Sequence, residues 1–354
     1  SLAFVRSERL GPPVAARISA YSAIAMHEAY AADSRSSLRS LAGQLNALPA
    51  MPAPEGQIDG ATAAAEAQRV VMDSLFVEGF ATTRRTIDSL ADSQIAMRGA
   101  AGVRRSVSQR SVAYGRAIGA AILGWAATDG FFATRGKPWP PPKVRGQWVN
   151  TATVDQHVPQ QLSGESDIVL AGKATAVTDA ARADTRNLFT NRPKDLGPKT
   201  TLPQFNPTGT TEPYWGTLRT FVLRDGDECR PPAPPGYSEA RGSEFWKMGQ
   251  ELYDSTRNLD AEKKAIALFW ADNPIATGTP GFHWIAVINQ MVGLRDLSAD
   301  ETVEAYALTS IAIADAFIGC WKEKFRSMVV RPITYVNRAI DPNWQTLFPT
   351  PPFP

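Results

Sequence analysis

The thirty residues VEAYALTSIAIADAFIGCWKEKFRSMVVRP, positions 303–332, decide the fold. From Val303 the apolar residues Ala307, Ile311, Ala314, Ile318, Trp321 and Phe325 recur at steps of three and four, which marks one buried face of a long helix running from Asp300 to about Arg326. Lys324 follows Trp321 by three residues, so its ammonium emerges beside that ring at the helix end. Proline biases the residue before it out of the α region, so Pro332 predicts that the helix stops before Arg331 and that the chain turns there. Arg331 can then fold back toward Lys324. A lysine point charge beside the planar fork of an arginine suits a tetrahedral oxyanion such as phosphate or vanadate. Asp315 interrupts the apolar run nine residues before Lys324 and faces nearly the opposite side, so it reads as a buried structural pair or cap, not as part of an anion site.

The same period recurs upstream. Pro12-Pro13 opens a helix over Val14 to Ala32 with Val14, Ile18, Tyr21, Ala25 and Ala29 on one face, and His27 reads as a core or boundary histidine. Helical composition resumes at Ala61–Phe76, Thr82–Met97 and Val103–Ala127, which predicts antiparallel neighbours; Arg84-Arg85 and Arg104-Arg105 read as a solvated face. Between Gly130 and Ser238 proline, glycine and tryptophan replace the pattern, with a short helix expected at Ala176–Leu188. A second helical set follows. It starts at Tyr237 or Ser238 and ends near Thr256, reopens at Leu259-Asp260, and reopens again with Thr279 as cap and Pro280 as first helical residue. Strand signals are few, so the fold class is all-α.

At 354 residues and 44% hydrophobic, the chain is long enough for a substantial core. Thirty-seven basic against 35 acidic residues leave a net charge of +2, which gives no nucleic-acid or membrane-surface footprint. No uninterrupted apolar run reaches the roughly 18 residues that span a bilayer. Cys229 and Cys320 do not form a disulfide framework and read as unpaired thiols, with Cys320 packed. Three scattered histidines and two distant cysteines do not supply a metal-cation site. Neither a dinucleotide fingerprint, a Walker loop nor a nucleophile elbow is present.

Lys324, six intervening residues, Arg331 and Pro332 resemble the first signature of the type 2 acid phosphatase (PAP2) and vanadium-dependent haloperoxidase superfamily. Asp341-Pro342-Asn343-Trp344 and Thr350-Pro351-Pro352-Phe353-Pro354 look like the approach to its second signature, and Phe269-Trp270 with Gly281-Phe282-His283-Trp284 resemble its bacterial haloperoxidase-like branch. The resemblance implies packed helical bundles: an N-terminal bundle over 1–129, an irregular excursion over 130–236 with an insertion at about 152–203, and a C-terminal bundle over 237–354. It implies vanadate as cofactor, with halide and hydrogen peroxide as substrates, or a phosphate ester in the phosphatase use. Lys324 and Arg331 would neutralise the oxyanion, while Trp321 and Phe353 fall where that branch places halide-pocket aromatics, plain core packing being the alternative. Export to the periplasm, the cell exterior or a lipid anchor is the implied location, and self-association stays open.

One departure matters. The family completes its site with a Ser-Gly-His segment and a Ser-Arg…His segment, whereas His27, His157 and His283 all lie upstream of Lys324 and outside any such motif. No catalytic histidine is therefore assigned in these residues. The expectation is a longer or processed protein that continues into a Ser-Gly-His helix start, with weak oxyanion binding by the 354 residues alone. If no such segment exists, an anion-binding remnant or a self-assembling structural protein is the remaining class.

Overall fold

A computed structural model describes residues 4–5, 8, 10–77, 79–135, 137–140, 144–151, 210–272, 278–347 and 350–354. The expected insertion at 152–203, the helix at Ala176–Leu188 and His157 lie outside the described residues. Described elements are helical throughout: α1 (Pro12–Ala31), α2 (Gly60–Leu75), α3 (Ala81–Ala100), α4 (Arg105–Ala126), the four-residue α5 (Phe131–Thr134), a 3-10 turn at Trp215–Thr217, α6 (Glu244–Arg257), α7 (Ala261–Ala271), α8 (Thr279–Arg295), α9 (Ala299–Ser327) and α10 (Pro332–Ala339). Among the described residues the one extended pairing is an antiparallel bridge between Gln147 and Val329.

Proline at its first turn starts α1, and 15 of its 20 residues are buried, which fits a helix apolar nearly all round. Three of its buried polar residues are matched, while His27 Nδ1 has no hydrogen-bond partner among the described residues. Arg17 Nε donates to Asp129 at 2.6 Å, Tyr21 Oη donates to the same carboxylate at 2.9 Å, and Glu28 accepts the Leu41 N–H at 2.6 Å. His27 is buried, as its sequence context predicts. The α2–α4 crossing is close because Gly115 and Gly119 leave room. A Cβ on Gly115 would sit 2.4 Å from the Ala63 carbonyl oxygen, and one on Gly119 would sit 2.7 Å from Val70 Cβ. Asp59 caps α2 and ties it to Arg98 of α3. Burial pushes the Asp59 carboxyl up, but hydrogen bonds from Arg98, Thr62 and Arg35 outweigh it and hold the group well below the usual carboxylate range.

Two large cores share α1 and α9. One joins Tyr21, Ile24, Ala63, Val71, Ile118, Ile122 and Trp125 to Phe221, Ile311 and Ala314. The other joins Val14, Ile18, Phe131 and Trp215 to Phe282 and Ile285 of α8 and to Ile318 and Trp321 of α9. At 29 residues α9 is about 43 Å long. Ser298 and Glu301 start it with a reciprocal capping box, and Met328 ends it in a left-handed turn at φ 48°.

Several expectations need correction. The helix placed at Tyr237 or Ser238 begins at Glu244, because the chain arrives through a proline-rich segment and Gly242 at φ 86°, and Ser243 supplies the cap. Gly278, not Thr279, stands at the N-cap position of α8. Pro332 opens a further helix, α10, instead of only closing the previous one. Cys320 is exposed. It lies about 100° around α9 from Trp321, which takes the buried direction at that level. Arg85, Arg104 and Arg105 are exposed, whereas Arg84 is half-buried and faces Glu8 and Asp73. By length and mean hydropathy two stretches, Arg105–Thr134 and Ala299–Ser327, could cross a membrane even though neither is an unbroken apolar run. Here the apolar faces of α4 and α9 line the two cores.

Candidate anion site at the end of the long helix

The last turns of α9 carry Trp321 and Lys324, the left-handed Met328 reverses the chain, and Arg331 returns as the N-cap residue of α10. The reversal is pinned by the Trp148 N–H, which donates to the Met328 carbonyl at 2.8 Å. Both cations then converge on Phe353. The Lys324 Nζ lies 5.2 Å and the Arg331 guanidinium carbon 4.8 Å from the centre of that ring. Lys324 Nζ donates to the Pro354 carbonyl at 3.0 Å, and Arg331 Nε donates to the Phe353 carbonyl at 2.7 Å. Trp321 flanks the same ring at 4.9 Å and is itself backed by Phe317 at 5.4 Å.

Neither cation has an acidic partner among the described residues. The neighbouring charges are engaged elsewhere: Lys322 pairs with Asp227 at 2.6 Å and Glu323 with Arg326 at 2.7 Å. Arg331 Nη2 is buried without a hydrogen-bond acceptor among the described residues. Burial pushes the Lys324 ammonium down and the nearby Arg331 adds repulsion, while burial pushes the Arg331 guanidinium down to about 10. The arrangement is an uncompensated cationic pocket, the electrostatic complement of an oxyanion.

Sequence reasoning missed two contributors, one in the loop before the 3-10 turn and one within it. Thr211 accepts the Trp321 indole N–H on its carbonyl at 3.1 Å and donates its own N–H to the Pro352 carbonyl at 3.0 Å, so it joins the tryptophan to the segment carrying Phe353. Gly216 packs directly on α9, where a Cβ would lie 2.4 Å from Lys322 Cα. We expect Gly216→Ala to force the turn away from the helix and to destabilise the protein by about 1–3 kcal/mol, as overpacking does. A thermal midpoint unchanged by that substitution would show that the turn absorbs the methyl group.

The other motif residues do not join this pocket. His283 stacks on Trp270 at 4.7 Å, meets the edge of Phe269 at 5.2 Å, and has Nδ1 3.1 Å from Asp272 Oδ2. Phe269, Trp270 and Trp284 are exposed, and α7 buries none of its residues. Asp315 acts elsewhere on α9, as its spacing from Lys324 predicts: its carboxylate accepts the backbone N–H groups of Phe221, Val222 and Leu223 at 2.6, 2.8 and 3.0 Å. Among the described residues no cluster of His, Cys, Asp and Glu is placed to hold a metal cation.

No protein-family model matches the chain, and no curated protein matches it. Solved structures do. The chain superimposes over its whole length on 73% of a structure described as the first bacterial vanadium-dependent iodoperoxidase, at 29% identity and a TM-score of 0.76. It matches apo-type and holo-type bacterial vanadium-dependent chloroperoxidase over 98% of its length and 73% of theirs, at 15% and 17% identity and TM-scores of 0.57 and 0.53; at those identities the likeness concerns the fold. The class defined is thus an all-helical, haloperoxidase-like fold. Within it the chain is structurally similar to bacterial vanadium-dependent iodo- and chloroperoxidases.

Proposed function

We propose that this chain carries the cationic half of a vanadate site in a haloperoxidase-like enzyme that oxidises halide with hydrogen peroxide. The observation that carries the reading is the pair of half-buried, acid-free cations, Lys324 and Arg331, over Phe353, with Arg331 Nη2 lacking an acceptor among the described residues. Those donors fit the oxygens of vanadate. Among the described histidines none adds a ligand, since His27 is buried within α1 and His283 is stacked on Trp270. Vanadate, when bound, supplies the centre that activates peroxide toward halide. The protein's part is to neutralise the oxyanion through Lys324 and Arg331, with Trp321 and Phe353 walling the pocket against water.

Phosphate shares the charge and geometry of vanadate, so phosphate-ester hydrolysis is the second use of the same donors. Steady-state assays on the protein encoded by its full gene separate the two. Vanadate-dependent oxidation of iodide, bromide or chloride, lost in Arg331→Ala, is the expected result; phosphate-ester hydrolysis inhibited by vanadate would assign the site to a phosphatase. Activity in neither assay would overturn both. A non-catalytic, self-associating protein is favoured by one observation, the exposed Phe269, Trp270 and Trp284 on α7 and α8, with a second copy as the occupant. Sedimentation velocity across concentrations tests it, a monomer at every concentration ruling it out.

A further inference from the structure

A second cavity lies far from the cations. It occupies about 420 Å³ between α1, α2, α3, α8 and α9. Its walls include Phe76, Phe282, Ile87 and Ile285, with Met26 and Met72 as flexible fillers, and its rim includes the exposed Leu90 and Gln94. Ser310 on its floor is fourteen residues before Lys324, or about 21 Å along α9. The cavity is therefore separate from the anion site, and nothing in the proposed reaction uses it.

The polar groups lining it are neutral and have spare capacity, with Asn289 at its exposed mouth. Ser19 and Ser310 share one hydrogen bond at 2.9 Å between their hydroxyls, Gln68 Nε2 donates to Ser22 Oγ at 3.4 Å, and Asn289 accepts the Tyr306 hydroxyl on its side-chain oxygen. That leaves the second amide hydrogen and the oxygen of Gln68, and the amide hydrogens of Asn289, to face an occupant. Among the described residues Arg69 is the one charged residue in the lining, and its two guanidinium arms are taken by Glu66 and Asp92. No cation among the described residues is left over for a carboxylate or phosphate.

We propose that this cavity binds a compact, neutral, mostly apolar molecule through one hydroxyl or carbonyl group. Size and lining match small-molecule sites, which are apolar with a few placed polar groups. The phenyl and thioether walls take the hydrocarbon body, while Gln68 and Asn289 pair with its polar end.

Nile red, neutral and brightening in apolar surroundings, is the probe. The expected result is saturable binding at one site per chain, displaced by decanol and left unmoved by decanoate or by vanadate. Ser22→Phe, at a half-buried lining position, should weaken binding by about tenfold or more because the ring takes the ligand's space. Ala91→Leu on the facing helix repeats the test should the first variant unfold, circular dichroism deciding which protein is folded. Absence of saturable binding overturns the proposal, as does Nile red affinity kept by a folded filled variant. Decanoate competing as well as decanol overturns the neutral ligand class. Vanadate has no part in the probe signal, so failure here is distinct from failure of the haloperoxidase reading.

Discussion

Asp315→Ala is expected to lower the thermal midpoint by about 4–7 °C, the shift that a loss of about 3–5 kcal/mol produces in a chain of this size. The carboxylate is 4% exposed and accepts three consecutive backbone N–H groups from Phe221, Val222 and Leu223. Truncation leaves the buried Phe221 amide without an acceptor, whereas the amide of the exposed Val222 can turn to water. The loss then spreads through packing. Phe221 lies 5.2 Å from Tyr21 and 5.6 Å from Trp125, so a loosened loop opens an aromatic cluster at the centre of the first core. Asp315→Asn should fall between, since one amide oxygen accepts but the NH₂ faces donors. Calorimetry of the three proteins checks the order, and an alanine variant within about 1 kcal/mol of the parent would show that the loop is held by other contacts.

The three-and-four period made the long helices legible, because each of α1, α2, α4 and α9 buries a continuous face and the apolar residues must recur with the turn. It could not show α10: two turns of helix, Pro332–Ala339, are too short for a period to stand out from chance. The proximity of Lys324 and Arg331 was legible because Pro332 predicts that the helix ends before Arg331, although the reversal itself is made by the left-handed Met328. The partner of Asp315 was not, since three backbone amides some ninety residues upstream carry no side-chain signature. Thr211 was hidden for the same reason, as it acts through its carbonyl and N–H and its side chain is incidental. Packing of Cys320 was expected from the apolarity of its neighbours, yet burial on a helix follows angle, and Trp321 had claimed the inward one.

These contacts give α9 a single organising role. Asp315 fixes residues 221–223, Lys322 and Arg326 pair with Asp227, Trp321 holds Thr211, and Lys324 reaches the segment Phe353-Pro354. The irregular chain between 210 and 230 is thereby laid along one helix, and the cationic pocket forms where that helix ends.

Inorganic phosphate is expected to bind this 354-residue chain weakly, near the millimolar range that corresponds to about −4 kcal/mol, and to lose affinity as the pH rises toward 10. Weakness follows from the donor set, which is two cations already donating to the carbonyls of Phe353 and Pro354, with no histidine alongside among the described residues. The sign of the pH effect follows from burial, which pushes Arg331 down to about 10 and lowers Lys324 as well. Both groups are charged below their folded-state values, where they repel each other and bind an anion. As the pH climbs toward 10 the two lowered cations, Lys324 above all, lose charge, the anion loses a partner, and the unliganded protein sheds the burden of a half-buried charge. Stability without phosphate and affinity for it should therefore move in opposite directions over that range. Bound phosphate raises both pKa values, so binding near pH 10 should take up protons, which calorimetry in buffers of different ionisation enthalpy reads directly. Lys324→Met keeps the stem over Phe353 and removes the charge, and it should abolish the phosphate response. Micromolar vanadate binding by the same residues, abolished by Lys324→Ala, would show instead that the two cations suffice and that no histidine is needed to complete the cage.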